Sequence, residues 1–466
     1  PIPNDSMPYE TLDVYAWTGD EWVWISSEVI AEEDVVIAQM DSVPQTMAFV
    51  VAQTRPLPPV VSAYAYETAL DEVIDGTIVE LNPYALTLGD NGAVMGDLEI
   101  DTSGEPGHAV IPVLSNVNAD GTIRNDLVDN LLIDRELWQT HIANILSIVK
   151  QSGSHGIELD YRAINPGLRD AFSSFVADLA SALHQESKSL TVRVELPRQI
   201  SYEEWDTGAY DWYALGKVVD GVKSPTMPDP QFYVENGRME QLIRWALTQL
   251  RRQQLQFILS ARSVDMCDGN PAYLPYKEAM TPFTSVATQD KRDTFKAEER
   301  VVLELSAGIG STSILYDEGA HTYWYRYRDD RNREHTVWLE NATSIAHKLR
   351  LLAKYNLRGA AFSHLLDEKN DEQVWSVVHE YHTLVIPEMR DRFSIVWTVQ
   401  DEKGNQVENL TTPLNDPRLV WVAPEESGEY TVIAALSSDD GQTTTVQGQT
   451  LVQVSQALPT ATPTPT

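Results

Sequence analysis

The alternation of strand-like and helix-like segments between Val60 and about His382 constrains the fold of this 466-residue chain more than any other feature. Short apolar segments recur there, separated by helical stretches such as Asp134–Lys150 and Pro166–Gln185, and this order is typical of parallel strands joined by helical crossovers. Eight segments have strand character: Val60–Tyr64, Thr77–Leu81, His108–Leu114, Gly156–Tyr161, Leu190–Leu196, Val218–Val222, Leu255–Ala261 and Arg358–Ser363. Because eight such strands suffice to close a barrel, the sequence predicts an α/β fold of the (β/α)8 TIM type.

The fourth segment, extended to His155–Arg162, carries a polar face. Its residues alternate between apolar and polar types with a period of two, as they do in a strand with two unlike faces. Glu158, Asp160 and Arg162 therefore project to one face, and the apolar side chains between them project to the other. Two carboxyl groups and a guanidinium are thus brought together on one strand, which makes this face the candidate site.

This stretch resembles the signature strand of family 18 glycoside hydrolases, the chitinases and related peptidoglycan-cleaving enzymes, whose pattern reads Asp-Gly-x-Asp-x-Asp-x-Glu. On that pattern His155 takes the place of the first Asp, Glu158 the second and Asp160 the third. Arg162 takes the place of the Glu that, in the family, protonates the glycosidic oxygen while the substrate's own acetamide acts as nucleophile. A general acid must release a proton near the working pH, and a guanidinium stays charged. The resemblance therefore implies the family's fold without its acid, and we expect Arg162 to form an ion pair with Asp160 or Glu158.

The resemblance extends along most of the predicted barrel and includes two further departures. His108–Val113 is similar to the family's third strand, and Tyr355–Phe362 resembles the approach to its last strand. In the family, a Trp on the eighth strand forms the floor of the sugar subsite. Here Ser363 or His364 takes its place. Asp220–Met227 also lacks the Tyr that supports the reacting acetamide at the end of the sixth strand. Taken together, these segments resemble the bacterial branch of the family, which acts on peptidoglycan or spore cortex.

The regions on either side of the barrel have the short strands and turns of β structure. Near the N-terminus an aromatic hairpin surrounds Thr18–Asp20, and its tryptophans are expected to form a core, not a sugar-stacking surface. Near the C-terminus, Trp421–Pro424 followed by Gly428–Val432 resembles immunoglobulin-like or PKD-like repeats. The predicted domains are a small β domain at 1–56, the barrel at 57–388 with an inserted α+β hairpin subdomain at about 265–340, an immunoglobulin- or PKD-like β-sandwich at 389–455 and a Pro/Thr-rich linker at 456–466.

Composition excludes several classes of function. The formal charge is −35, with 69 acidic against 34 basic residues, which disfavours binding to nucleic acid or to an anionic membrane surface. No run of 18 apolar residues exists, so no transmembrane segment is predicted. Cys267 is the single cysteine, which rules out a disulfide within the chain and a cysteine metal cluster. No phosphate-binding glycine loop or metal-ligand spacing is found, so we predict neither a cofactor nor a metal.

The two ends of the sequence bear on where the protein works. It begins Pro-Ile-Pro-Asn-Asp without an initiator Met or a signal peptide, which predicts a processed or trimmed start. The Pro/Thr-rich linker is of the kind that tethers a domain, so the natural protein is expected to continue beyond Thr466. These features, together with the resemblance, predict a bacterial protein that is extracellular or on the cell surface, either free or tethered there.

The leading functional hypothesis is a barrel that has lost hydrolysis and binds a glycan, peptidoglycan or chitin-like, or scaffolds an envelope assembly. The residues predicted to contact the glycan are Tyr64, Tyr84, Glu195, Ser363 and His364. Tyr66 is a further aromatic of interest, whereas Tyr161 is expected to pack outward, under the helices.

Two alternatives stay open at the level of sequence. In the first, an active glycosidase acts on an N-acetylglucosamine-containing polysaccharide with rearranged carboxylates drawn from Glu80, Glu158, Asp160 and Glu195. A retaining pair would need carboxyl groups roughly 5–5.5 Å apart, and an inverting pair roughly 6.5–9.5 Å. In the second, the chain is a structural or adhesive module that binds envelope proteins through its flanking β domains.

Overall fold

The structure is a computed structural model that describes residues 1–40, 48–66, 76–96, 98, 107–201, 203–306, 314–387, 394–437 and 444–456, with the side chains of 445–447 left out. The chain divides into two compact units. The first unit comprises Pro1–Ala261, Ala346–Leu366 and Ser376–Pro387, and the second comprises Arg262–Ile345, Asp367–Trp375 and Glu388–Thr466.

Eight parallel strands form the centre of the first unit. In chain order they are Val60–Ala65, Glu80–Pro83, a third strand in two pieces (Ala109–Val110 and Val113–Ser115), Gly156–Asp160, Ser189–Arg193, Gly221–Pro225, Leu255–Ser260 and Gly359–Ser363. Each pairs in parallel with the next, and the eighth pairs with the first. The two pieces of the third strand, on either side of Pro112, pair with the second and the fourth strands respectively. This curled α/β sheet has the strand order of a TIM-type barrel, as the sequence predicts.

Glycine is required where the last strand meets the first. A Cβ on Gly359 would lie 2.0 Å from the carbonyl oxygen of Val60, far inside van der Waals contact. Only glycine permits this close approach of the two backbones.

The helices of the first unit follow from ordinary end signals. Arg135–Ser152 begins after Asp134, whose side chain accepts hydrogen bonds from the backbone of Glu136 and Leu137, and it ends at Gly153 with φ of +71°. The predicted helix over Pro166–Gln185 consists of a 3-10 turn followed by an α-helix. The α-helices that lie wholly in this unit are Asn125–Ile133, Arg135–Ser152, Arg169–Gln185, Trp212–Gly216 and Arg238–Gln249; Ala342–Lys354 and Val374–His382 also contribute residues to it. No helix among the described residues is long and apolar enough to cross a membrane.

The predicted position of the sixth strand is wrong by three residues. The sequence assigns Val218–Val222, but the strand is Gly221–Pro225. Val218 and Val219 instead donate backbone hydrogen bonds to Leu215, in the turn that ends a helix. These two consecutive β-branched residues have the composition of a strand, which is why the sequence places the strand too early.

The N-terminal residues belong to the first unit. Leu12–Trp17 pairs with Trp22–Ile25 and Phe49–Gln53 in an antiparallel sheet, and Ser27–Ile30 pairs with Val35–Ala38. The expectation that the tryptophans form a core is wrong for Trp22, which is 49% exposed. The buried positions of this sheet are the smaller residues on the opposite face, such as Val14 and Ala16.

Within its described residues, the second unit contains three sheets. One is antiparallel and contains Asn270–Leu274, Ser263–Cys267, Glu334–Leu339, Thr322–Arg328 and Leu315–Asp317. The second contains Ser285–Thr288, Arg300–Ser306 and Arg418–Val422, and the third contains Thr294–Lys296, Thr444–Ser455, Gly428–Ser437, Ser394–Gln400 and Gln406–Pro413. A short helix, Tyr276–Met280, completes the unit.

Strands from the predicted insertion pair directly with strands from the predicted C-terminal sandwich. Arg300–Glu304 is antiparallel to Arg418–Val422, and Thr294–Lys296 is parallel to Gln453–Ser455. One hydrophobic core, which includes Phe283, Leu303, Trp397 and Trp421, contains residues of both segments. The immunoglobulin- or PKD-like assignment and the domain boundaries remain predictions, and the linker beyond residue 456 lies outside the described residues.

Candidate functional site

The interior of the barrel holds a buried ion-pair network centred on Lys223, a residue of the sixth strand. Its side chain is fully buried, and its ammonium lies 2.8 Å from Glu158 Oε2, 2.9 Å from Asn82 Oδ1 and 3.6 Å from Glu80 Oε2. Tyr64 donates a hydrogen bond of 2.6 Å to the other oxygen of Glu158. Glu158 is therefore held on both oxygens and is closed to solvent.

Glu80 belongs to the same network. It accepts hydrogen bonds from Ser62, at 2.9 Å, and from the guanidinium of Arg358. Burial alone would raise the pKa of the Glu80 carboxyl, but Lys223 and Arg358 outweigh burial and hold that pKa below its ordinary value. The two cations balance the two carboxylates in this part of the barrel.

A second cluster lies where the fourth strand ends. Arg162 donates from Nη2 to Asp160 Oδ2 at 2.6 Å and from Nε to Asp160 Oδ1 at 2.9 Å, which is a two-point ion pair. Asn116 fixes the backbone of Arg162, accepting from its N–H at 2.8 Å and donating to its carbonyl at 3.0 Å. The predicted ion pair is confirmed with Asp160, whereas Glu158 pairs with Lys223 instead.

Asp160 has two more partners from neighbouring elements. Tyr84 donates to its Oδ2 at 2.9 Å, and Arg193, from the fifth strand, approaches the same oxygen at 3.4 Å. The Arg193 guanidinium also donates to the Tyr84 hydroxyl. Burial would raise the pKa of Asp160, but Arg193 and Arg162 hold it below its ordinary value, so this carboxyl is ionised at neutral pH. It cannot serve as a general acid in that state.

Aromatic rings stand beside this cluster. Tyr66 stacks on Tyr84 with ring centroids 5.0 Å apart and on His364 with centroids 4.5 Å apart. Tyr64 packs against Tyr84 in a tilted arrangement with ring centroids 5.4 Å apart. Tyr66 is 46% exposed, so the stack presents an aromatic surface to solvent next to Arg162.

The remaining predicted site residues lie apart from this cluster or at its margin. His155 precedes the fourth strand, at the end opposite Asp160, and its Nδ1 accepts from the backbone of Val110 at 3.1 Å. Glu195 is exposed and accepts from the backbone of Ala163 at 2.9 Å. Ser363 donates to the carbonyl of Leu259 at 3.4 Å.

Tyr161 packs outward, as the alternation predicts, and is buried with its hydroxyl bonded to His141. Sequence reasoning missed Lys223, Asn116 and Arg358. Lys223 had a usable signal, because a strand drawn at Gly221–Pro225 places a single lysine at the centre of a strand that has no other charged residue. No group of three or more potential metal-ligating side chains is found within the described part of the chain.

The family model for glycosyl hydrolases family 18 matches residues 129–367, and the chain belongs to this family. Among curated relatives, it is 25% identical over 252 residues to the cortical fragment-lytic enzyme of Bacillus subtilis (strain 168), a match covering 53% of this chain and 54% of the relative. It is 22% identical over 342 residues to the cortical fragment-lytic enzyme of Bacillus cereus, covering 71% of each. The chain thus spans about half the length of the Bacillus subtilis relative.

Solved structures agree on the fold. A chitinase from Chromobacterium violaceum has a TM-score of 0.54 at 20% identity, covering 70% of this chain and 99% of that one. The spore cortex-lytic enzyme SleL of Bacillus cereus also has a TM-score of 0.54, at 18% identity, covering 74% of this chain and 78% of that one. At these sequence identities the structural similarity supports the TIM-type barrel fold. The chemistry depends on the residues of the site.

Proposed function

We propose that this family 18 protein binds a glycan and does not cleave it by the family's mechanism. The observation that carries the proposal is the two-point ion pair between Arg162 and Asp160, at 2.6 and 2.9 Å. On the family's signature strand these are the positions of the general acid and of its neighbouring Asp. A charged guanidinium at the first position and an ionised carboxylate at the second leave no proton for the leaving oxygen.

The rearranged-carboxylate alternative is less well supported. Of the four acids considered, Glu80 and Glu158 share the ammonium of Lys223, and Asp160 is held by Arg162. Glu195 is the exposed member, and one carboxylate supplies neither a retaining nor an inverting pair.

A glycan ligand is favoured over a purely structural role by the aromatic surface. Tyr66, stacked between Tyr84 and His364, leaves nearly half of its surface in solvent beside polar groups. A partly exposed aromatic stack with adjacent hydrogen-bond donors is suited to a sugar ring, which has an apolar face and hydroxyls at its edge. The relatives, whose names describe cortex-lytic enzymes and chitinases, make peptidoglycan or a chitin-like glycan the class to test. Such ligands imply an extracellular or cell-surface location.

The experiment combines binding with hydrolysis. The full chain is incubated with insoluble peptidoglycan and with chitin, and bound protein and released sugar are measured from the same samples. We expect retention on at least one glycan with no sugar release above the blank. Tyr66→Ala should weaken retention, whereas Tyr273→Ala, a similarly exposed tyrosine of the second unit, should not. The absence of retention on every glycan would contradict the proposal.

A further inference from the structure

We infer that the ligand of this site is an acidic glycan, one whose sugar carries a carboxylate that Arg162 and Arg193 bind. This inference rests on the proposed glycan-binding function and specifies the chemistry of the ligand. It begins from the charges around Asp160.

Two guanidiniums share one carboxylate there. Asp160 lies 2.6 Å from Arg162 Nη2 and 3.4 Å from Arg193 Nη1. Among the residues that the structure describes, no other carboxylate lies within 4.0 Å of either guanidinium. Glu158 and Glu80, the next acids inward, are already paired with Lys223 and Arg358. Among the described residues, the two guanidiniums at the end of the fourth strand therefore have one carboxylate, that of Asp160, in ion-pair range between them.

Both arginines also keep hydrogen-bond donors free. Arg162 uses Nε and Nη2 for Asp160 and Tyr84, so its Nη1 makes no hydrogen bond to the described residues. Toward the described residues, Arg193 donates from Nη1 alone, to Tyr84 and Asp160. Their side chains are 30% and 16% exposed, so these free donors are open to solvent.

A carboxylate fits this arrangement by charge and by shape. Guanidinium N–H groups form short, charge-assisted hydrogen bonds to carboxylate oxygens, and a planar two-oxygen acceptor matches their geometry. A carboxylate brings a negative charge to this cluster. The exposed part of Tyr66 lies beside it and would pack against the sugar that bears the acid.

The charge of the whole chain favours short acidic ligands over long ones. At −35 the protein repels a polyanion at long range, and salt screens this repulsion. The test therefore uses oligosaccharides. A sugar carboxylate has two sources, a uronic acid or a lactyl ether on an amino sugar. The probes include one oligosaccharide of each kind.

Binding of the full chain is measured by calorimetry to four probes. The first pair is hyaluronan oligosaccharides and the same oligosaccharides with their carboxyl groups reduced to alcohols. The second pair is peptidoglycan strands stripped of peptide, with free lactyl carboxylates, and their carboxyl-reduced form. We expect the acidic member of at least one pair to bind about tenfold more tightly than its reduced form, because the reduced form loses the charge-assisted hydrogen bonds to the arginines. The pair that shows the difference identifies the source.

Arg162→Gln should remove this preference, and Arg251→Gln, an exposed arginine, should retain it. The comparison of acidic with carboxyl-reduced probes uses the unmodified chain. It therefore remains valid even if Arg162→Gln folds poorly. Equal affinity for acidic and reduced probes overturns the inference and leaves the proposed function standing. No binding to any probe, or to chitin oligosaccharides measured alongside, overturns both.

Discussion

The guanidinium of Arg162 and the carboxylate of Asp160, two residues apart in sequence, join through two hydrogen bonds of 2.6 and 2.9 Å at the end of the fourth barrel strand. In family 18 proteins these positions belong to a proton donor and its partner. Here the two residues form an ion pair with each other. A further guanidinium, that of Arg193, lies 3.4 Å from Asp160 Oδ2. The consequences of this arrangement, and of the buried network below it, are open to measurement.

Restoring the acid alone should not restore hydrolysis. Arg162→Glu places a carboxyl beside Asp160 and Arg193, and the remaining guanidinium favours its ionised form. The position of the family's Trp, which the resemblance assigns to Ser363 or His364, is also unchanged. We expect no release of reducing ends from chitin oligosaccharides by this variant. Turnover in Arg162→Glu, with none in the parent, would show that one residue accounts for the loss.

The ammonium of Lys223 should be important for stability. Lys223→Met leaves Glu158 fully buried without its cation, and breaking a buried pair from one side costs about 3–5 kcal/mol. We expect the free energy of unfolding, measured with denaturant, to fall by about that amount. Lys223→Met combined with Glu158→Gln should regain part of the loss. The exposed Lys217→Met is the matched control, and an equal effect of the two single substitutions would refute this role.

A second buried pair fixes the N-terminal sheet within the first unit. Arg252, 2% exposed, donates from Nε and Nη2 to the two oxygens of Asp13, at 2.6 and 2.9 Å, and from Nη2 to the carbonyl of Leu12 at 3.1 Å. Arg252→Met should destabilise the first unit by about 3–5 kcal/mol and speed proteolysis before Val60. Arg251→Met, at the exposed neighbouring residue, should do neither. Unchanged proteolysis in Arg252→Met would mean that other contacts hold the sheet.

The second unit should lose stability as the pH rises through the range of Asp371. Burial raises the pKa of this carboxyl to about 6, although backbone N–H groups of Ala342 and Gln373 act in the opposite direction. Because the folded pKa exceeds the unfolded one, the folded state holds the proton more tightly. Stability is then full below about pH 4 and falls as the pH rises to about 6.

Asp371→Asn should remove this dependence, with a difference from the parent of about 3 kcal/mol at pH 7 that vanishes near pH 4. Thermal unfolding across this pH range measures it, with the exposed Asp268→Asn as control. Parallel pH curves for the parent and Asp371→Asn would contradict the assignment.

The sequence predicted those parts of the fold and site that depend on local periodicity. The two-residue repeat put Asp160 and Arg162 on one face, and their ion pair followed from proximity along one strand. Arg193 and Tyr84 reach the same carboxylate from other elements, and their meeting depends on the register between strands, which one sequence does not fix.

Two other features depended on context that the sequence alone does not supply. Lys223 was missed because Val218 and Val219 imitate a strand while lying in the turn that ends a helix. The pairing of Arg300–Glu304 with Arg418–Val422 joins segments more than a hundred residues apart, and no local pattern encodes such a partnership.

The most direct test of the account is a hydrolysis measurement on the unmodified chain. Chitin oligosaccharides and peptide-stripped peptidoglycan strands are incubated with the protein, and the products are followed by mass spectrometry. With Arg162 bound to Asp160, we predict that the substrates stay intact at the level of the blank. Cleavage above the blank that is lost in Glu158→Gln would contradict the account and assign the reaction to a rearranged carboxylate.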